Sequence, residues 1–219
     1  MKNIDQIIAT LTLDEKVSLL SGFNSWYTNK IDKKRIPSIK MSDGPNGVRG
    51  DSNSGKSSAC FPCAISLGST WDLKLITNIG IALGEEAQAK DVDVLLGPTI
   101  NIHRHPLGGR HFESFSEDPF LTGKIATNYV QGVQSKNVAA CLKHFVGNDT
   151  EYERHAISSN IDEQTLREIY LLPFEMAIRE GNAKVVMSAY NKLNNIFCSS
   201  QQELLITSLK QEWNFAGYV

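Results

Sequence analysis

What this sequence lacks narrows its options. No uninterrupted apolar run reaches the roughly 18 residues of a membrane-spanning helix, so no membrane partner is expected. No block of like charge stands out, and a formal net charge of −2 over 219 residues gives no basis for a nucleic-acid partner. The N-terminal stretch MKNIDQIIATLTLDEK breaks its apolar residues with acids and offers no small-residue cleavage site. That reads as no signal peptide and a cytoplasmic location. Cysteine is sparse, at positions 60, 63, 141 and 198. Cys60 and Cys63 have the C-x-x-C spacing, but no second pair follows to complete the four ligands of a structural zinc, so free thiols are expected. There is no G-x-S-x-G elbow for a serine nucleophile. With neither an internal repeat nor a linker-like stretch, one domain over 1–219 is expected.

What is present is a regular alternation of short apolar runs and amphipathic stretches. Thr12 to Glu15 reads as a capping box opening a helix whose apolar face carries Val17, Leu19 and Leu20, with Gly22 as its stop. Strands are predicted at Ile36 to Ser42, Ala64 to Leu67, Val92 to Leu96, Val138 to Leu142 and Lys184 to Ala189. Gly217-Tyr218-Val219 resembles the opening of one more. Between them, helices are predicted over 72–90, 118–134 and 162–180, the last kinked at Pro173. Another follows a second capping box at Ser200 to Glu203 and runs to Trp213. Residues 50–58, rich in Ser, Gly and Lys, read as a mobile surface loop. Repeated βα units argue for an α/β fold with a parallel sheet and helices outside. About six units fit an incomplete (β/α)8 TIM-type barrel, since the closed form typically takes about 250 residues.

The stretch around which this pattern is organised is Pro106 to Pro119, PLGGRHFESFSEDP. It follows a strand that reads as buried on both faces and precedes a helix with Asp118 as N-cap and Pro119 in its first turn. In a parallel barrel such loops lie at the C-terminal face of the strands, where chemistry is done. Gly108 and Gly109 read as a tight turn that aims Arg110. The other strand ends deliver Asp43, Lys143, His144, Arg154 and Tyr190 to the same face. One carboxylate, three cations, an imidazole and a phenol suit a ligand with many hydroxyls, because the carboxylate accepts and the others donate. Trp26, Tyr27, Phe112 and Phe115 are candidates for aromatic faces beside it, or for core. His103-x-His105 has the look of a paired imidazole metal site, but no acid or third His stands at the spacing that would complete it, so no metal and no other cofactor is expected.

Four blocks carrying these residues resemble glycoside hydrolase family 3, in its β-glucosidase-like branch: MSDGPNGVRG (41–50), LGPTINIHRHPLGGRHFESFSEDP (96–119), LKHFVGND (142–149) and MSAYNK (187–192). They occur in family order, and the resemblance covers essentially the whole chain from about Leu11. It implies an N-terminal (β/α) barrel domain and a retaining hydrolase that cleaves non-reducing terminal β-D-glucosyl residues. It implies that Asp43, Arg110, Lys143, His144 and Arg154 bind the hydroxyls of that sugar, with Met187 and Tyr190 beside the nucleophile. The partner implied is a β-glucoside or oligosaccharide. LKHFVGND departs from the KHFPGHG type of family members that cleave N-acetylglucosaminides, which tilts the substrate towards plain β-glucosides.

The family's nucleophile is an Asp just after a strand that begins like Gly217-Tyr218-Val219, and its acid/base comes from a later domain. The resemblance therefore implies a domain truncated before the nucleophile, with the rest of the same enzyme needed for completion. Glu113 and Asp118 match structural positions and offer no replacement pair. Two other readings remain open: a non-catalytic sugar-binding or remnant fragment, and a metal-dependent barrel hydrolase using His103 and His105.

Overall fold

A computed structural model describes residues 4–50 and 56–219. The centre of the expected mobile loop, residues 51–55, lies outside the described residues. Two short helices come first, α1 (Ile4–Ala9) and α2 (Leu13–Leu19). The Thr12–Glu15 capping box forms as the sequence suggests: Glu15 N–H donates to Thr12 Oγ1 at 3.2 Å and Thr12 N–H to Glu15 Oε2 at 2.9 Å. The apolar side of α2 is not buried, however. Leu13, Val17 and Leu20 all face outward.

Then come β1 (Met41–Asp43), α3 (Ala64–Gly68), α4 (Leu73–Ala89), β2 (Val94–Leu96), α5 (Pro119–Gln134) and β3 (Ala139–Phe145). The next helical stretch has three parts: α6 (Glu163–Thr165), a wider π-type turn over Leu166–Leu171, and α7 (Leu172–Arg179). Pro173 lies in the first turn of α7, so the irregularity expected at the proline appears as the wide turn before it, which relieves a ring that cannot donate. Strand β5 (Val185–Ser188) follows, then a last helix, α8 (Glu203–Glu212), which is wound in the wider π form throughout.

The sheet order is β1-β2-β3-β5, all parallel. Tyr218 pairs in parallel with Val185, so the last residues begin a fifth strand beside β5. Outside this sheet, β4 (Ser158–Ser159), β6 (Lys192–Leu193) and β7 (Ile196–Phe197) form a small three-stranded sheet above the strand ends. The architecture is the expected one, helices outside a parallel sheet of an incomplete TIM-type barrel, with one strand fewer than the sequence suggested. Ala64 to Leu67 is the difference. It is helical, and it buries Ala64, Leu67 and Gly68 at helical spacing, with Gly68 against the backbone of Phe115. A four-residue apolar run fits either period, and packing against the 111–115 turn selects the helix. The second capping box is not formed either. Ser200 Oγ donates back to Phe197 O at 3.2 Å, and α8 begins at Glu203 without a side-chain cap.

Successive strand residues alternate between two cores. Leu95, Ala140, Leu142 and Val186 point outward into the main core, where α4, α5 and α7 cover them with Ile76, Leu83, Ile125, Val130, Phe174 and Ala177. Val94, Cys141 and Val185 point inward with Met41, Leu96, Ala139 and Met187. Close approach of α4 to α5 depends on two glycines: a Cβ on Gly132 would lie 2.4 Å from Thr77 O and 2.9 Å from Gly80 Cα.

Candidate sugar-binding site

The inward-facing positions change character at the C-terminal ends of the strands. On β1, Met41 is followed two residues later by Asp43. On β3, Ala139 and Cys141 are followed by Lys143. A period of two keeps each on the same face. In barrels the side chains of one layer come from alternate strands. That geometry is met here, since Lys143 Nζ reaches across β2 to Asp43 Oδ1 at 3.2 Å. Lys143 is 4% exposed. Met187 is the register partner of Lys143 on β5 and adds an apolar wall.

Burial pushes the Asp43 carboxyl up, but the Lys143 charge and hydrogen bond, the Gly44 N–H and the more distant Arg49 together outweigh it. They hold Asp43 below the ordinary carboxylate range. Asp43 is therefore a charged acceptor at neutral pH.

The 106–119 loop supplies the next group. A short 3₁₀ turn over His111–Glu113 folds Glu113 back under Arg110. Glu113 Oε1 accepts from Arg110 Nε, and Glu113 Oε2 accepts from Thr99 Oγ1 at 3.2 Å. Glu113 is 8% exposed, so this is a buried strut that fixes the guanidinium. Gly108 serves close approach: a Cβ there would meet His111 Nε2 at 2.1 Å.

Held this way, Arg110 points Nη1 at His144 Nε2, 3.2 Å away. The imidazole is buried and surrounded by the positive charges of Arg110, Lys143 and Arg154. Desolvation first, and these charges second, push its pKa down to about 2. His144 is neutral over the whole physiological range.

Arg154 lies on the loop after β3. Its Nη1 donates to Glu151 Oε2 at 2.8 Å, and its guanidinium carbon is 5.4 Å from the centre of the Tyr190 ring. The His155 ring lies 4.6 Å from the same phenol. Tyr190 remains 55% exposed and so is open to contact.

All seven candidate residues thus converge on one end of the sheet: Asp43, Lys143 and Met187 on the inner face, and Arg110, His144, Arg154 and Tyr190 along its rim. Of the four aromatics, Phe115 is core, while Phe112 is exposed. Asp118 caps α5, its Oδ1 accepting from Leu121 N–H at 2.7 Å, and Glu113 is committed to Arg110. Neither is free to act as a hydrolytic carboxylate. His103 Nε2 is bonded to Ser114 O and His105 Nδ1 to Leu107 N–H. Among the described residues no group of three His, Cys, Asp or Glu side chains is placed to hold a metal ion, so the metal-hydrolase reading gains no ligand set.

Sequence reasoning missed the supporting residues, Asn101 above all. Asn101 is 4% exposed and its carboxamide is turned wholly onto His144. The signal available was its place inside LGPTINIHRHP, a polar residue between two isoleucines that are themselves buried.

Parallel strands ending in a charged pair, with cationic and imidazole groups around it, define an α/β barrel domain with a polar site at the C-terminal ends of its strands. A family model described as the glycosyl hydrolase family 3 N-terminal domain matches residues 2–219. The chain belongs to that family. A β-glucosidase from Rhizobium radiobacter is 53% identical over 218 residues, which is 99% of this chain and 27% of that protein. The structure of a β-glucosidase from Kluyveromyces marxianus in complex with glucose superposes with a TM-score of 0.94 at 45% identity, covering 98% of this chain and 26% of that one. β-Glucosidase 3B from Thermotoga neapolitana in complex with α-D-glucose gives a TM-score of 0.92 at 42% identity, over 99% of this chain and 33% of that one. The chain spans about a quarter of the length of the curated relatives it matches.

Proposed function

We propose that residues 1–219 form the glucose-recognising part of a retaining β-glucosidase. Asp43 accepts from hydroxyls on one side of the terminal sugar. Lys143 and Arg110 donate to hydroxyls on the other side, Arg154 stiffens the rim, and Tyr190 with Met187 borders the reacting carbon. The observation that carries this reading is the Asp43–Lys143 pair. A nearly buried ammonium and a depressed carboxyl lie at the C-terminal end of a parallel sheet, where an ion pair contributes little to stability but recognises hydroxyls strongly. Two relatives of the same fold were solved with glucose, which supports glucose as the class of ligand.

Retaining hydrolysis needs two carboxyl groups about 5–5.5 Å apart, a nucleophile and an acid/base. Asp43, the carboxylate at the centre of the proposed site, is engaged by Lys143, and Glu113 and Asp118 are committed elsewhere. None of these three is proposed as a catalytic carboxyl. The compartment we propose is the cytoplasm, on the N-terminal sequence alone; no described helix is long and apolar enough to cross a membrane.

The test is calorimetric titration of the full-length protein with glucose and with a methyl β-glucoside, beside hydrolysis of an aryl β-glucoside. One-site glucose binding that competes with hydrolysis is expected. Glucose binding without hydrolysis would leave a sugar-binding protein, and the absence of glucose binding would overturn the reading.

A further inference from the structure

The chain interrupts its own ladder at His144. Strand β3 pairs with β5 through Lys143, and the register then shifts before Phe145. On the other side, Thr99 bridges to Lys143 and Ile100 N–H donates to Lys143 O at 2.8 Å, so residue 144 falls just past regular pairing. A buried peptide in that position must find other partners. Asn101 supplies them. Its Nδ2 donates to His144 O at 2.9 Å, and its Oδ1 accepts from His144 N–H at 2.9 Å.

These two contacts remove the usual freedom to flip a carboxamide. The backbone carbonyl can only accept and the backbone N–H can only donate, so Oδ1 must face the N–H. The same Oδ1 is 3.2 Å from His144 Nδ1. An amide oxygen carries no proton, so Nδ1 must carry one. At the other ring nitrogen, Arg110 offers donors only, so Nε2 must present its lone pair. Both constraints demand the same tautomer.

We propose that Asn101 is a positioning residue that locks His144 as the neutral Nδ1–H tautomer, so that Nε2 accepts from Arg110 Nη1 and, together with Glu113, fixes the guanidinium that donates to the bound sugar. This rests on the sugar-site reading and sharpens it. The sequence suggested that His144 donates, as Lys143 and Arg110 do. The geometry instead gives the site a neutral acceptor between two cations. Arg110 is then held at Nε by Glu113 and at Nη1 by His144, which leaves its remaining N–H groups to donate to a sugar hydroxyl.

The experiment is long-range ¹H–¹⁵N correlation NMR on the full-length protein labelled at histidine nitrogen, with and without glucose, for the wild type, Asn101→Asp and Asn101→Leu. The wild type is expected to show His144 as the Nδ1–H tautomer, with Nε2 shifting when glucose is added. Asn101→Asp keeps an acceptor beside Nδ1 and retains the tautomer. Asn101→Leu, of similar size but without the oxygen, loses it and weakens glucose binding by about tenfold or more.

A wild-type spectrum with the proton on Nε2 overturns the proposal without any variant. So does an Asn101→Leu protein that is folded and keeps Nδ1–H. If glucose leaves every His144 resonance unmoved, the sugar-site reading fails, and that outcome is distinguishable because the tautomer that decides the proposal is read in the absence of sugar.

Discussion

The two faces of the parallel sheet are made by alternate residues of the same strands, yet they are built to different ends. Leu95 is fully buried under α4 and α5, whereas its neighbour Leu96 is only partly buried on the inner side. Leu142 belongs to the outer core and the adjacent Lys143 to the inner pair with Asp43. The outer face is closed mainly by apolar contact, with Ser42 on β1 a buried polar residue beside Leu95. The inner face is apolar for its first few residues and charged at its end. Stability therefore resides mainly outside the sheet and the proposed recognition inside, and a change of one position along a strand moves a substitution from one face to the other.

The largest effect expected from this contrast is on ligand binding. Lys143→Met removes the ammonium and leaves Asp43 half-buried with one distant cation. Glucose affinity is expected to fall by about a hundredfold or more in a calorimetric titration, in line with the about 2–5 kcal/mol cost of truncating one partner of a buried charge pair at an interface. Next comes a paired comparison in thermal or denaturant unfolding. Leu95→Ala is expected to cost about 2–5 kcal/mol. Leu96→Ala is expected to cost less than half of that, because its side chain is already partly in contact with solvent. Equal losses would break the comparison between faces. Gly132→Ala, which drives a methyl into Thr77 O between α4 and α5, should cost about 1–3 kcal/mol while leaving glucose affinity per folded molecule unchanged.

A smaller effect is expected with pH. Asp43 is held below its ordinary value, so the ionised pair is intact above the pKa of a free Asp, about 3.9. Its contribution is lost only as pH falls through the depressed folded value. His144 stays neutral down to about 2 and adds no acid limb of its own near neutrality. Glucose binding should therefore be flat from pH 7 to about 5 and weaken only below about 4. A binding transition near pH 6 would instead point to Asp149, whose carboxyl burial pushes up to about 6. The smallest effect belongs to the Lys136–Glu85 pair, 2.8 Å apart between the turn after α5 and the outer side of α4. Its removal by Glu85→Ala should change stability by no more than about 0.5 kcal/mol, measured by the same unfolding assay.

The inner–outer division was legible in the sequence only in part. Strand β3 was readable because Val138 to Leu142 is a continuous apolar run that ends abruptly in Lys143 and His144, a signal of a strand buried on both faces that terminates at a site. The loop at 106–119 was readable for the same reason, since its charges follow a strand and precede a capped helix. Ala64 to Leu67 was misread because four apolar residues carry no period, and only the contact of Gly68 with Phe115 decides between helix and strand. The Ser200–Glu203 pattern failed because the Ser200 hydroxyl found a carbonyl three residues earlier, a competition that spacing does not reveal. Asn101 and Glu113 act at second remove. Glu113 resembles any loop acid until Arg110 is folded over it, and Asn101 gains its meaning from a residue 43 positions later in the chain. Motif residues that touch a ligand leave a local pattern, whereas residues that orient them depend on tertiary approach.

The measurement that bears most directly on the division between faces is a crystal structure of the full-length protein soaked with glucose. The account predicts one glucose at the C-terminal end of the sheet, with hydroxyls within hydrogen-bond distance of Asp43, Lys143 and Arg110, and with the outer helices unmoved. Glucose bound elsewhere, or an Asp43–Lys143 pair that stays closed and unvisited at saturating sugar, would contradict it.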